Sequence, residues 1–506
     1  MSRRYLSHID AALPKVQIDQ YPKAVFVLHD QLNMDVWPSW IRKEKPLLIF
    51  IESAEKGNSL PYHKKKLIYL LSSMRHFAVE CAQAGFPVYY HSTDTHYEET
   101  LAEIMQRNKD LDLTFMRPSE WDSRQRIREM GQHFEGRIEE VPNNFFLADA
   151  DEYKDRVKGG WLMEYFYRDM RRKTGYLMKG DKPEGGEWNY DEENRKKLPK
   201  NHPVPEIATT EADEITREVI KMVDEWFPQH FGESSDFTYA VTRRQALYRL
   251  NEFIEERLDE FGPYEDAMAQ GKYDLFHSQL SVYLNNGLIL PTEACDKAEE
   301  AYQNGRVRLN SAEGFIRQII GWREYVRVYY EAMMPEVRDV NHFKFTQKLP
   351  RMYWSGETKM NCMSECLKSV IEDGYSHHIP RLMVLSNFSN LTETDPRALN
   401  RWFHLAYVDA YEWVVLPNVL GMSTFADGGV LASKPYVSSG NYINKMSDYC
   451  KHCEYKISKK TGEEACPFNY LYWNFIDKQR ETFTQNGRAN FMVNMFDKRS
   501  EEDKKA

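Results

Sequence analysis

The chain has 506 residues, 42% hydrophobic and 28% charged, with a formal net charge of -10. This composition describes a globular protein with room for two or three domains, and no apolar run approaches the ~18 residues of a membrane span. The acidity argues against a general polyanion binder but allows a local basic surface, and the first fifteen residues hold no apolar leader segment, so the expected compartment is the cytoplasm.

From Lys23 to Pro142 the short apolar runs AVFVLHD, PLLIFIES, PVYYHS, DLTFMRP and RIEEVPN alternate with helix-like stretches such as His63 to Ala84. That rhythm predicts βαβ units and a parallel sheet, with ligands at the carboxyl ends of the strands, where Asp30, Gln31, Glu52 and Glu55 fall. Neither a GxGxxG motif nor a Walker A loop accompanies these strands, so a nucleotide held there by its phosphates is not expected. Between about Ala150 and Phe237 the rhythm breaks. The stretch KGDKPEGGEWNYDEENRKKLPKNHPVPE reads as an interdomain connection, docked rather than free because it carries Trp188 and Tyr190. From Tyr239 onward apolar residues recur at spacings of three and four, which predicts an all-α half.

Three constellations in that half carry chemistry. In Gly314 to Tyr330, Phe315, Ile319, Trp322 and Val326 form a core stripe; Arg317, Arg323, Glu324 and Arg327 read as a solvated face or as partners of phosphate groups. In GYSHHIPRLMVLSN, Gly374 to Asn387, His377 and His378 are adjacent, whereas a helical metal pair prefers a spacing of four. They read as structural or as proton-handling groups, since imidazole titrates near ~6.5. Finally Cys450, Cys453 and Cys466 form C-x2-C-x12-C before Pro467, with Cys362 or Cys366 available as a fourth thiolate. Zinc and an iron-sulfur cluster both suit such ligands. Cys81 and Cys295, alone in helical stretches, read as apolar core residues.

FHSQLSVYLNNGLILP, Phe276 to Pro291, followed by FIRQIIGWREYVR, resembles the FAD-binding core of the cryptochrome and photolyase family. The four-cysteine pattern and GGEWNYDEENRKKLP resemble its iron-sulfur bacterial branch, which includes prokaryotic (6-4) photolyases. The resemblance implies an α/β, Rossmann-like antenna-binding domain over 1–149, a connector over 150–237, and an all-α FAD-binding catalytic domain over 238–506. It implies FAD held by Phe276, His277, Ser278, Gln279, Leu280, Gln318, Trp322, Arg323, Arg381, Asn387 and Asp409. A 4Fe-4S cluster is implied on Cys362, Cys450, Cys453 and Cys466, with Cys366 spare, and a 6,7-dimethyl-8-ribityllumazine antenna near Asp30, Gln31 and Glu55. The branch further implies that Trp402 and Trp354 re-reduce the flavin, with Phe403 where a tyrosine could relay. Mg2+ is implied at Asp191, with Glu187. The implied partner is UV-damaged DNA with its lesion flipped into a pocket bearing Tyr436 and Tyr442, rimmed by Lys434, Arg381 and Lys348. His378 is the expected proton donor, supported by His377, in a monomeric enzyme that meets no membrane. Repair of (6-4) photoproducts, repair of cyclobutane dimers and blue-light sensing without repair stay open on the same fold. A flavin-free metal-stabilised nucleic-acid-binding module stays open outside it.

Overall fold

The computed structural model describes residues 5–134, 136–501 and 504. The five apolar runs form the five strands of one sheet: β1 Lys23–Phe26, β2 Leu47–Ser53, β3 Val88–Thr93, β4 Asp112–Met116 and β5 Ile138–Val141. All pairings are parallel and the spatial order is β3-β2-β1-β4-β5, so the order reverses between β1 and β4. In such sheets the crevice beyond the carboxyl ends at the reversal is where ligands bind.

Side chains alternate across the sheet, and each face has its own core. Ala24, Phe26, Leu47, Ile49 and Ile51 pack with Leu101, Met105 and Ile127 from the helices Tyr97–Arg107 and Trp121–Gly131. Val25, Val27, Leu48 and Phe50 join Ile68 and Phe77 from the helix Lys64–Gln83 in a core that continues through the helical half of the molecule. Burial on both faces explains why these strands read as continuous apolar runs.

Residues 150–237 are substantially helical, with Ala150–Lys158, Met163–Thr174 and Glu214–Trp226. Val219, Met222 and Val223 are buried on the last of these. Trp188 is held among three guanidinium groups, those of Arg168, Arg171 and Arg172, with centroid distances of 5.5, 5.6 and 4.7 Å. The two halves are also joined at Glu324, whose carboxylate accepts the N–H groups of Leu147 and Ala148 at 2.7 and 2.8 Å.

Three seven-residue π-helical stretches, Arg317–Arg323, Pro380–Ser386 and Pro417–Ser423, interrupt the helical half. Such stretches widen a helix locally and are frequent at functional sites. The first two adjoin the residues described next.

Candidate functional site

The helix Asn361–Asp373 ends at Gly374, whose φ of +67° turns the chain while its N–H bonds Val370 O. A Cβ there would lie 2.9 Å from Val408 Cγ2, so only glycine fits. The chain re-enters helix at His378. His377 is buried by this turn, whereas the His378 side chain keeps 47% of its surface exposed. A third imidazole, His277, stacks on His377 with centroids 4.2 Å apart and planes at 12°, and meets His378 edge-on at 5.4 Å. Ring nitrogens of all three lie within 4.8 Å of one another. Two stacked rings hold their lone pairs in parallel planes and cannot both aim at one ion, so the trio suits proton handling better than chelation.

The electrostatics separate the three. Burial, then the His378 charge, pushes His277 well below the ordinary imidazole value; burial, then His277, does the same to His377. Burial opposes the charge on His378 too, but the hydrogen bond to Asp266 and the field of Glu265 outweigh it, and its pKa rises. His378 Nε2 is 3.5 Å from Asp266 Oδ1. The site therefore favours a single imidazolium, on its exposed side.

Glu265 is buried and accepts from Asn194 Nδ2 at 3.0 Å and Gln318 Nε2 at 2.9 Å. Burial raises its pKa against the opposing pull of Arg317 and His378. The Tyr442 phenol is raised by burial and then by Asp266; that of Tyr436 by burial and then by Asp191. Asp191 pairs with Arg195 and lies 3.7 Å from Arg317 Nη2. His377, His378, Tyr436, Tyr442 and Asp191 are thus brought into one charged cluster. Sequence reasoning missed Glu265, Asp266 and Arg195. An adjacent acid pair in a turn reads as solvated, and what buries Glu265 comes from 71 and 53 residues away.

The segment Phe276–Leu280 is fixed by the helix Arg243–Glu256 and its C-cap Arg257. That helix opens with a Thr242–Gln245 capping box. Arg257 Nη1 donates to His277 O, and Arg249 Nη2 to Gln279 Oε1 at 3.0 Å. Gln279 sits at φ +57°, and its amide donates to Asp274 Oδ1 at 2.8 Å. Ser278 Oγ accepts from Leu280 N. Gln318 is engaged with Glu265, Trp322 Nε1 donates to Asn418 Oδ1 at 2.9 Å, and Asn387 exchanges hydrogen bonds with the Ser438 backbone.

Arg323 pairs with Glu324, donates to Phe145 O at 3.2 Å and lies over the Phe146 ring, where Glu324 and the turn 145–148 form the junction between the halves. One expected placement differs. Arg381 is not a free phosphate contact at a rim. It forms two bonds to Asp409 at 3.1 and 3.0 Å and stacks over Tyr407 at 4.1 Å, while Asp409 also accepts from Ser281 Oγ. Lys434, over the Tyr436 ring at 5.8 Å, and the exposed Lys348 remain as rim cations.

Trp402 is fully buried, and Trp354 exposes 43% of its surface. Between them stands Tyr353, whose ring meets that of Trp402 at 5.1 Å and whose carbonyl accepts from Trp402 Nε1 at 3.0 Å. Phe403 stacks on Tyr407 at 5.2 Å, and Tyr407 lies 5.9 Å from Trp402. The aromatic succession from Arg381 runs through Tyr407 and Trp402 to Tyr353, while the Trp354 ring meets Phe231 at 6.0 Å.

Cys362, Cys450, Cys453 and Cys466 line one small pocket, with Cys366 outside that lining. Among the described residues no three of these thiols lie mutually within 4.8 Å. Zinc and an iron-sulfur cluster are both held by thiolates of this kind. A Cβ at Gly440 would come within 2.9 Å of Cys466 Sγ, so the glycine keeps the space open.

A second, larger cavity, about 100 Å³, lies at the reversal of strand order. Leu67, Leu70, Met74, Tyr62 and Tyr97 give it apolar walls; His29, Lys56, Lys66, Glu120 and His404 are its polar groups. Asp30, Gln31 and Glu55, the expected ligands, face elsewhere: Asp30 accepts from Ser119, Gln31 donates to Met116 O at 3.0 Å, and Glu55 pairs with His96 at 3.2 Å. Their neighbours His29, Glu52 and Lys56 line the cavity instead, because adjacent side chains point in different directions. Burial opposes the charge on Glu120, but Lys56, at 3.1 Å, outweighs it and holds the carboxyl well below the usual range. Burial and then Lys66 push His404 down to about 3. Burial brings Lys66 to about 7, its Nζ donating to His404 O and Ala410 O.

A family model described as deoxyribodipyrimidine photo-lyase-related protein matches residues 25–239. A (6-4) photolyase of Agrobacterium fabrum (strain C58) is 42% identical over 472 residues, covering 92% of this chain and 93% of the relative. A bacterial class III photolyase from Agrobacterium tumefaciens aligns over 93% of this chain and 98% of its own, with a TM-score of 0.61 at 14% identity. An archaeal photolyase from Sulfolobus tokodaii, crystallised with two FAD molecules, aligns over 81% of this chain and 83% of its own, with a TM-score of 0.51 at 15% identity. Among the described residues no helix is long and apolar enough to cross a membrane.

Proposed function

The chain belongs to the photolyase family, and on that premise we propose that it repairs pyrimidine-pyrimidone (6-4) photoproducts in DNA, using blue light and FAD. The observation that carries the choice of lesion is His378, half-exposed and held toward the charged form by Asp266 above two neutral imidazoles. A (6-4) product differs from a cyclobutane dimer in needing a proton as the electron arrives, and a positioned acid supplies it.

FAD fits the residues present: beside Phe276–Leu280, the buried Arg249 and His377 carry polar atoms with no partner. When bound in its reduced form, FAD supplies the light-driven electron that starts repair and receives it back at the end. The chain does the rest. Tyr436 and Tyr442 wall a pocket for the flipped lesion and leave water little room. His378 Nε2 faces Asp266, which keeps the ring oriented and stabilises its charge, and Nδ1 holds the proton that the lesion accepts. His377, buried and neutral, positions the adjacent backbone, and His277 braces His377 by stacking. Lys434 and Lys348 contact the DNA backbone and set register without reading sequence.

The four thiols suit a 4Fe-4S cluster, which would tie Cys362 to the segment Cys450 to Cys466 as a structural staple. The cavity at the strand ends suits a flat heterocycle such as a ribityllumazine, a light-gathering antenna between Tyr62, Lys66 and Glu120. Mg2+ at Asp191 does not fit: Arg195 and Arg317 already neutralise that carboxylate, and no step here uses a cation there. The test is conversion of an oligonucleotide carrying a single (6-4) product, in blue light and in darkness. Light-dependent restoration by a yellow-brown protein is expected. A coloured protein that repairs neither lesion type makes the chain a photoreceptor, and a colourless one removes the flavin from the account.

A further inference from the structure

Arg249 has no role in the packing that its burial demands. It lies on the buried face of the helix Arg243–Glu256 with Ala246, Leu250 and Phe253, and only 3% of its surface is exposed. Nη2 donates to Gln279 Oε1, yet Nε and Nη1 have no hydrogen-bond partner. A guanidinium withdrawn from water with two donors unused is costly, and native structures rarely keep one without an anion. Asp274 is the carboxyl linked to it, but only through the Gln279 side chain, and burial lifts Asp274 to about 6, so it is a weak counterion. The neighbouring Arg257 differs, because Glu252 and His277 O satisfy it.

The unused donors, Nε and Nη1, leave the guanidinium in different directions, so each can donate to a separate oxygen of a diphosphate while Nη2 stays with Gln279. They sit beside Gln279, whose left-handed backbone shapes the Phe276–Leu280 segment. We propose that Arg249 binds the diphosphate bridge of FAD and makes the site select the dinucleotide over flavins without that bridge. This rests on the FAD reading above. Gln279 is then a positioning residue, holding the guanidinium between Asp274 and the ligand.

The experiment measures flavin release, by recovery of flavin fluorescence, from the full chain loaded with FAD or reloaded with riboflavin. Arg249→Gln is expected to speed FAD release by roughly tenfold or more, the worth of a charge-assisted pair, and to leave riboflavin release within about twofold. Arg249→Lys, which keeps the charge but loses the fork, is expected between wild type and Arg249→Gln for FAD. Equal acceleration for both flavins in Arg249→Gln overturns the proposal, because it marks a packing defect. Unchanged FAD release overturns it as well. A wild-type protein that takes up riboflavin and FAD with equal hold overturns it while leaving the FAD reading intact; one that holds no flavin at all overturns both.

Discussion

Two histidine sites in this molecule are biased toward opposite protonation. At the histidine trio, His378 stands beside Asp266 and Glu265, and its pKa is raised. In the cavity at the strand ends, His404 stands beside Lys66 and is pushed down to about 3. Burial disfavours the charged ring in both places, so the sign is decided by the neighbour. One site holds an imidazole biased toward its charged form, and the other lines a chamber with the Lys56–Glu120 ion pair and with Lys66, which burial brings to about 7. The contrast teaches that two imidazoles of one chain are set toward opposite charge by what faces them.

The comparison breaks most sharply at His378 itself. His378→Ala is expected to lower (6-4) repair by about a hundredfold or more, the usual worth of a positioned general acid, with FAD content unchanged. Quantifying restored oligonucleotide under saturating light checks it, and unchanged repair would remove the acid from the mechanism. Next in size is Glu120→Gln, which strands Lys56. Because the Lys56 side chain is about a third exposed, the expected loss is about 1–3 kcal/mol by denaturant unfolding, below that of a fully buried pair. The folded pKa of Glu120 is depressed, so its contribution is present above the unfolded carboxyl value of about 4.3 and is lost as pH falls through the folded value. The difference between variant and wild type should therefore shrink in acid. His404→Gln probes the opposite pole. The folded pKa of His404 is also depressed, so stability is full above the unfolded imidazole value and is lost as pH falls from about 6.5 toward about 3. Removing the titration should recover about 1–2 kcal/mol of the stability that wild type loses between pH 7 and 5.

The two regions also differ in how much the sequence discloses. The sheet is legible almost strand for strand, because PLLIFIES and its companions are buried on both faces and continuous apolar runs have few other outcomes. The histidine pair and cysteine spacing are legible as motifs. Glu265 and Asp266 are not, since no periodicity distinguishes an acid pair in a turn from a solvated one, and Asn194 and Gln318 enclose Glu265 only after folding. At the strand ends the sequence draws attention to Asp30 and Glu55, whereas the cavity there is lined by their neighbours His29 and Lys56. Glu120 and His404 come from elements 284 positions apart in the chain, which no local pattern can join. Arg323 is legible as a motif position, but its pairing with Glu324, which also accepts the N–H groups of Leu147 and Ala148, appears only after folding.

Asp266→Asn makes the smallest and most specific change. It keeps the shape beside His378 and removes the charge that raises the imidazole. Repair needs the protonated ring, so its rate should fall as pH rises through the raised His378 pKa. In Asp266→Asn that alkaline fall should move down by about one pH unit, the scale of one neighbouring charge, with FAD content constant. Light-driven (6-4) repair measured from pH 6 to 9 in both proteins tests the account most directly. A fall displaced to lower pH in the variant is the predicted result, and superimposable profiles would contradict the assignment of His378 and Asp266 as the acid and its keeper.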